Sequence, residues 1–149
     1  TPFSLEELKK KKIQILFVAL PHGEAMQMIP EMTALKNVRI IDLGADFRLK
    51  DQVTFEKWYQ PHSAWDFQKK FVYGLPELFE KKISKARWIA NPGCYVTAAT
   101  LAIYPLLKNR LIHKKNIVID AKSGVSGGGR KLVEEKDQWL NNFKAYKTT

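Results

Sequence analysis

The chain contains a single cysteine, Cys94, at a position that suits a nucleophile. It lies in the segment NPGCY (residues 91–95), whose Pro-Gly pair predicts a turn between a short apolar strand over residues 87–90 and a helix over residues 95–107. A thiol in the first turn of a helix faces unpaired backbone N–H groups and the positive end of the helix dipole, and both favour the thiolate. The alternative is that Cys94 is a small buried apolar residue, as free cysteines usually are.

Two charged residues, Asp46 and Arg48, follow a predicted strand and form a second candidate site that looks exposed. The guanidinium of Arg48 can bind a carboxylate or a phosphate through two parallel hydrogen bonds, which a lysine cannot imitate. The pattern therefore predicts an anion site at this strand end. The alternative is structural, with Asp46 and Arg48 paired to each other across the loop.

A third candidate is the glycine-rich segment SGVSGGGR (residues 123–130), which follows a predicted strand over residues 116–121 and precedes a polar stretch of helical character. Backbone N–H groups of such a loop can bind an anion. Its spacing matches neither the dinucleotide-binding fingerprint nor the phosphate loop of nucleotide hydrolases. A flexible turn without a ligand remains the alternative.

Alternating strands and helices position these candidates. Apolar runs of strand length cover residues 13–20, 38–43 and 87–90, and helical spacing covers residues 24–35, with an interruption at Pro30, and short stretches near residues 54–59 and 75–81. Continuous apolar strands separated by helices predict a parallel sheet that is covered on both faces. Ligands bind such sheets at the carboxyl ends of the strands, where Pro21, Gly44 and Asn91 lie.

Composition narrows the class of protein without defining it. The 149 residues have a hydrophobic fraction of 45%, which indicates a globular chain. The net charge of +10 suits encounter with anionic ligands, but the lysines are scattered and form no basic and aromatic ladder for nucleic acid. A single cysteine forms no internal disulfide and favours a reducing compartment. No apolar run reaches the ~20 residues of a membrane span, and no metal-ligand spacing occurs.

Five separated motifs closely resemble the N-acetyl-gamma-glutamyl-phosphate reductase family of the semialdehyde dehydrogenase superfamily. They are ALPHG (residues 19–23), IDLGADFRL (41–49), YGLPEL (73–78), NPGCY (91–95) and IDAKSGVSGGGR (119–130). Val96 and Gly128 depart from the usual family residues, but neither replaces a reacting group.

The resemblance implies an enzyme of arginine biosynthesis that reduces N-acetyl-glutamyl 5-phosphate with NADPH. Cys94 would attack the acyl phosphate and form a thioester, which hydride then reduces to the semialdehyde. The residues expected to bind the substrate are Arg48 and Asn91. Those expected to bind the cofactor NADP are Pro21, Ser123, Gly124, Gly127 and Gly129. The small-molecule substrate, a homo-oligomeric full-length enzyme and a cytoplasmic location complete the expectation, without nucleic-acid or membrane partners.

The resemblance also implies a fold and a domain boundary. Residues 1–90 are expected to be the latter part of a Rossmann-like NADP-binding domain, and residues 91–149 the first part of an α+β catalytic domain. The family's glycine-rich first turn and its catalytic histidine find no counterpart in these residues. We therefore expect an internal portion of the enzyme that is inactive by itself, with its general base elsewhere.

Two other interpretations stay open on sequence grounds. An aspartate-semialdehyde dehydrogenase belongs to the same superfamily, although the ADFR and YGLPE segments argue against it. The other is a basic, non-catalytic binding module in which Cys94 is structural.

Overall fold

A four-stranded parallel sheet lies at the centre of the computed structural model, which describes residues 4–128 and 133–134. The strands are β1 (Ile15–Val18), β2 (Arg39–Asp42), β3 (Phe71–Tyr73) and β4 (Trp88–Ala90). Their order is β1-β2-β4-β3, and every neighbouring pair is parallel. The predicted α/β architecture with a parallel sheet is confirmed. The short strand β3, which the sequence did not predict, lies at one edge of the sheet.

Between residues 4 and 128 the chain forms five α-helices: α1 (Leu5–Lys10), α2 (Ala25–Met32), α3 (Gln52–Trp58), α4 (Pro76–Ile83) and α5 (Cys94–Lys108). Residues Trp65–Lys70 and Val125–Gly128 form 3₁₀ helices. Asp51 caps α3 by accepting a hydrogen bond from the Thr54 N–H, and proline at the first position of α4 needs no such partner. The predicted interruption at Pro30 is wrong, because α2 runs through this residue and ends two residues later at Met32.

The hydrophobic core lies on one face of the sheet. Met26, Ile29 and Met32 of α2 are buried against that face, which includes Ile40 of β2. On the opposite face Phe17 of β1 is 62% exposed, so the prediction of a sheet covered on both faces is wrong for β1.

The strand predicted over residues 116–121 is also wrong. Residues 117–124 have no regular secondary structure, and Val118 is 89% exposed. A strand requires a neighbouring backbone to pair with. Among the described residues, the four strands of the sheet pair only with one another.

Candidate active site

Cys94 is the first residue of α5 and is exposed, so the alternative of a buried structural cysteine is wrong. Gly93 is the N-cap in an extended conformation, and because glycine has no side chain it makes no side-chain capping hydrogen bond. The first intrahelical hydrogen bond runs from the Thr97 N–H to the Gly93 carbonyl, 3.0 Å apart. The backbone N–H groups that precede it lie at the positive end of the helix beside the thiol.

The end of β4 fixes the approach to Cys94. The Asn91 N–H continues the ladder by donating to the Asp42 carbonyl at 2.8 Å, and the Gly74 N–H donates to the Ala90 carbonyl at 2.8 Å. A Cβ atom at Gly74 would lie 2.7 Å from Cγ2 of Ile89 and 3.2 Å from the Ala90 oxygen. Glycine therefore allows the chain after β3 to pass directly against the strand that leads to the cysteine.

This close passage creates a cleft of about 590 Å³ beside the thiol. One side consists of residues 74–77, and the other side consists of Asn91, Pro92, Cys94, Thr97 and Ala98. The structure thus brings Asn91 and Cys94 to one site, as the sequence predicts. It also places the YGLPEL motif opposite the cysteine, a role that sequence analysis missed although it identified the motif.

Arg48 forms hydrogen bonds to the backbone at two places, at Asn91 in the turn that precedes Cys94 and at Leu43. Its Nε donates to the Asn91 carbonyl at 2.7 Å and its Nη2 donates to the Leu43 carbonyl at 2.8 Å. Its third nitrogen, Nη1, lies 3.2 Å from where a Cβ of Gly93 would be. The guanidinium is therefore held against the backbone immediately before the thiol. Whether Nη1 binds a substrate anion stays a prediction.

Asp46 is buried and does not form the exposed pair with Arg48 that the sequence suggested. Its carboxylate accepts hydrogen bonds from the Gly23 N–H, at 3.0 and 3.1 Å, and from the Met26 N–H at 3.1 Å. Gly23 has a φ of +89°, a conformation that glycine adopts without strain. The carboxylate thereby occupies the N-terminus of α2, so this helix end offers no place for the pyrophosphate of a cofactor.

His62 contacts the backbone of the loop that contains Asp46. Its Nδ1 accepts a hydrogen bond from the Ala64 N–H at 3.1 Å, which leaves Nε2 to donate to the Asp46 carbonyl at 2.9 Å. Its ring also contacts those of Phe47 and Phe55 edge to face. The histidine is a packing residue of the long connection after β2, and sequence analysis gave it no role.

Asp42, at the end of β2, is a buried carboxyl group that sequence analysis did not single out. Its Oδ1 accepts a hydrogen bond from the Gly44 N–H at 2.9 Å, and its Oδ2 has no hydrogen-bond partner among the residues that the structure describes. Burial raises the pKa of Asp42 from 3.8 to about 6. The Gly44 hydrogen bond opposes this shift, the Asp46 charge adds to it, and the charges of Arg48 and His22 oppose it.

The raised pKa of Asp42 predicts an acid-favoured contribution to stability. The folded state binds a proton more tightly than the unfolded state, so this contribution is complete below pH 3.8 and is lost as the pH rises through about 6. We expect the free energy of unfolding of the wild type, relative to that of Asp42→Asn, to fall by up to about 3 kcal/mol between pH 4 and pH 7. Urea unfolding of both proteins across this range measures the difference. A difference that is flat or rises with pH would contradict the assignment.

Of the predicted cofactor residues, the four that the structure describes do not line the cleft. Pro21 is exposed after β1, at the carboxyl edge of the sheet. Ser123, Gly124 and Gly127 are exposed, and both Ser123 Oγ and the Gly127 N–H donate to the Gly124 carbonyl within their own loop. Gly129 lies outside the described residues. Cofactor binding by these five residues stays a prediction.

No group of three or more His, Cys, Asp or Glu side chains in residues 4–128 and 133–134 could hold a metal ion. Within the same residues, no helix has the length and apolar character that crossing a membrane requires.

Two family models match most of the chain. The NAD-binding domain of semialdehyde dehydrogenases matches residues 2–86, and the semialdehyde dehydrogenase dimerisation domain matches residues 94–149. The first match covers β1, β2 and β3 with the long connection between β2 and β3, and the second begins at Cys94.

Individual relatives are about half identical to the chain over the aligned residues. A protein of Pelotomaculum thermopropionicum, named N-acetyl-gamma-glutamyl-phosphate reductase, is 53% identical over 135 residues, which are 89% of this chain and 39% of the relative. The Clostridium novyi protein of the same name is 50% identical over the same shares. A probable chloroplastic reductase of this name from Arabidopsis thaliana is 50% identical, over 90% of this chain and 33% of its own. The chain thus spans about two-fifths or less of these relatives.

Proposed function

Because the chain belongs to the semialdehyde dehydrogenase family, we propose that it supplies the nucleophile and part of the substrate site of an NADPH-dependent acyl-phosphate reductase. The observation that carries the proposal is the exposed Cys94 thiol at the N-terminus of α5, beside a cleft. The proposed substrate is N-acetyl-glutamyl 5-phosphate, the product is the 5-semialdehyde, and the process is arginine biosynthesis. The names of the relatives support this choice.

In the first step the Cys94 thiolate attacks the carbonyl carbon of the acyl phosphate. A carbon–sulfur bond forms, the bond from the carbonyl carbon to the phosphate oxygen breaks, and phosphate leaves with the electron pair. The thioester remains on the chain. The carbonyl oxygen becomes negatively charged during the attack, and backbone N–H groups at the start of α5 are placed to stabilise it.

NADPH, when bound, supplies the hydride that reduces the thioester and releases the aldehyde with regeneration of the thiolate. For this chain we propose that Pro21 and the glycine-rich residues Ser123, Gly124, Gly127 and Gly129 border the cofactor. The loop after β1 fits such a role because it is exposed at the carboxyl edge of a parallel sheet. The N-terminus of α2 does not fit the pyrophosphate, since the Asp46 carboxylate occupies it.

Arg48 and Asn91 are the proposed substrate ligands of this chain. Asn91 lines the cleft beside Cys94. Nε and Nη2 of Arg48 donate hydrogen bonds to backbone carbonyls. Nη1 is therefore the nitrogen that we propose binds an anionic group of the substrate. Its place against Gly93 supports the proposal because it brings a fixed positive charge to the turn before the nucleophile.

Three further features of the whole enzyme are proposals. We place the boundary between the cofactor-binding and catalytic domains near residue 91, which the limits of the two family matches support. A homo-oligomer is supported by the dimerisation-domain match over residues 94–149. A cytoplasmic location suits an enzyme with a free, exposed thiol, since thiols persist in reducing compartments.

The proposed function is tested by comparing two acyl phosphates as substrates of the full-length protein. We expect kcat/KM for N-acetyl-glutamyl 5-phosphate to exceed that for aspartyl 4-phosphate by at least about 100-fold, since a site built for one polar substrate leaves buried groups unpaired with another. Oxidation of NADPH, followed by its absorbance, is the measurement. A preference for the aspartyl compound would instead identify an aspartate-semialdehyde dehydrogenase, and no oxidation with either would favour a binding module.

A further inference from the structure

Asp42, at the end of β2, contacts two segments next to the Cys94 cleft. Its backbone carbonyl accepts the Asn91 N–H at 2.8 Å, at the residue that begins the turn to Cys94. Its side chain accepts the Gly44 N–H at 2.9 Å, in the loop that leads to Arg48. Asp42 thus contacts both the segment that precedes Cys94 and the loop that carries Arg48.

These contacts belong to a closed ring of hydrogen bonds. The Leu43 carbonyl, which belongs to the same peptide group as the Gly44 N–H, accepts a hydrogen bond from Nη2 of Arg48 at 2.8 Å. Nε of the same guanidinium donates a hydrogen bond to the Asn91 carbonyl at 2.7 Å. Because the Asn91 N–H donates to the Asp42 carbonyl, the ring closes at Asp42. A shift of the Leu43–Gly44 peptide would therefore move Arg48 and, with it, the Asn91–Gly93 turn.

Burial of the Asp42 side chain is expected to lower the free energy of unfolding. The side chain is fully buried, and one of its two oxygens lacks a hydrogen-bond partner among the described residues. An incompletely paired buried carboxylate is destabilising, and a well-packed apolar side chain in its place is often neutral or stabilising. Stability alone therefore does not explain an aspartate here. The Gly44 hydrogen bond, which shapes the loop, is the contact that an apolar residue would lose.

We propose that Asp42 is a positioning residue for Cys94. Asp42 holds the Leu43–Gly44 peptide in place, so that Arg48 keeps its hydrogen bond to the turn that precedes the thiol. The inference rests on the proposed function in taking Cys94 as the nucleophile. Asp42 itself is fully buried, so its side chain is not accessible to a substrate. Its effect passes through Arg48 to the backbone at Asn91.

The test measures the alkylation of Cys94 by iodoacetamide in the folded full-length protein at pH 7. We expect Asp42→Ala to react about fivefold more slowly, because a loosened first turn of α5 favours the thiolate less. Asp42→Asn keeps an acceptor oxygen for the Gly44 N–H and should restore the rate to within about twofold. Arg48→Met should slow the reaction as Asp42→Ala does. The double variant should be no slower than the slower single variant, since both changes break one ring.

The control is Met32→Ala, which removes a buried side chain of α2 and lowers stability without touching the ring. It should leave the alkylation rate of the folded protein unchanged. A rate for Asp42→Ala equal to that of the wild type, a failure of Asp42→Asn to restore it, or additive effects in the double variant would overturn the proposal. If Asp42→Ala does not fold, an unchanged rate in Arg48→Met overturns it equally. Alkylation needs no acyl phosphate, so a failure of the proposed substrate leaves this result interpretable.

Discussion

Replacement of Cys94 by serine is expected to lower kcat of the full-length reductase by at least about 10³-fold, because the covalent step loses its nucleophile. The exchange changes one exposed atom at the first position of α5, so the fold should be preserved. A serine hydroxyl stays protonated without a strong base and attacks the acyl phosphate far more slowly than a thiolate. Oxidation of NADPH under saturating substrate measures kcat, and urea unfolding measures stability.

Val96→Ala is the matched control for this experiment. Val96 is also in the first turn of α5 and is 53% exposed, but its side chain has no reacting group. It should retain kcat to within about threefold, as exposed substitutions without a chemical role generally have small effects. If Cys94→Ser kept more than about a tenth of the wild-type kcat, Cys94 would not be the nucleophile.

Asp46→Asn is expected to lower the free energy of unfolding by about 2–3 kcal/mol, the largest loss of stability that we predict from a nearly isosteric change. The carboxylate receives hydrogen bonds from the Gly23 and Met26 N–H groups, and Gly23 contacts both of its oxygens. Asparagine would keep one oxygen for the Gly23 and Met26 N–H groups, but the helix start would lose its negative charge and the amide nitrogen would face the Gly23 N–H. Hydrogen bonds to a charged group contribute ~1.5–3 kcal/mol, so the neutral side chain should be clearly less stabilising. Urea unfolding at pH 7 measures the loss.

Asp51→Asn provides the comparison, since Asp51 also accepts a backbone N–H at a helix start but is exposed. Asparagine caps an exposed helix about as well as aspartate, so this change should cost less than ~0.5 kcal/mol. A loss in Asp46→Asn no greater than in Asp51→Asn would show that the Asp46 carboxylate does not hold the start of α2.

Local patterns determined the elements around the nucleophile. The apolar runs predicted β1, β2 and β4 within a few residues, and the Pro-Gly pair placed Cys94 at the start of a helix, where α5 begins. These predictions succeed because apolar runs and turn residues act over a few neighbours in the chain. Pro30 is an informative failure. The local rule predicts an interruption, but α2 continues for two residues because Ile29 and Met32 are buried on its inner side.

The resemblance to a known family, and not any local pattern, supplied the proposed substrate, the cofactor and the roles of Arg48 and Asn91. The structure adds where these residues lie. It places Asn91 beside Cys94 and shows how Arg48 is held, whereas its exposed Ser123–Gly127 loop still awaits a test of cofactor binding.

Tertiary structure alone decided which charged groups are buried and what they hold. In the sequence Asp42, Asp46 and Arg48 lie close together, but in the fold they bind different segments. Asp42 accepts the Gly44 N–H, Asp46 accepts an N–H at the start of α2, and Arg48 donates to the Asn91 carbonyl. Arg48 lies 43 residues from Asn91, and Asp46 lies 23 residues from Gly23. The strand order β1-β2-β4-β3 likewise decides that residues 74–77 face Cys94, because β3 pairs beside β4 and not beside β2. Such pairings depend on how the sheet buries its apolar face as a whole, and no short window of the sequence contains both partners.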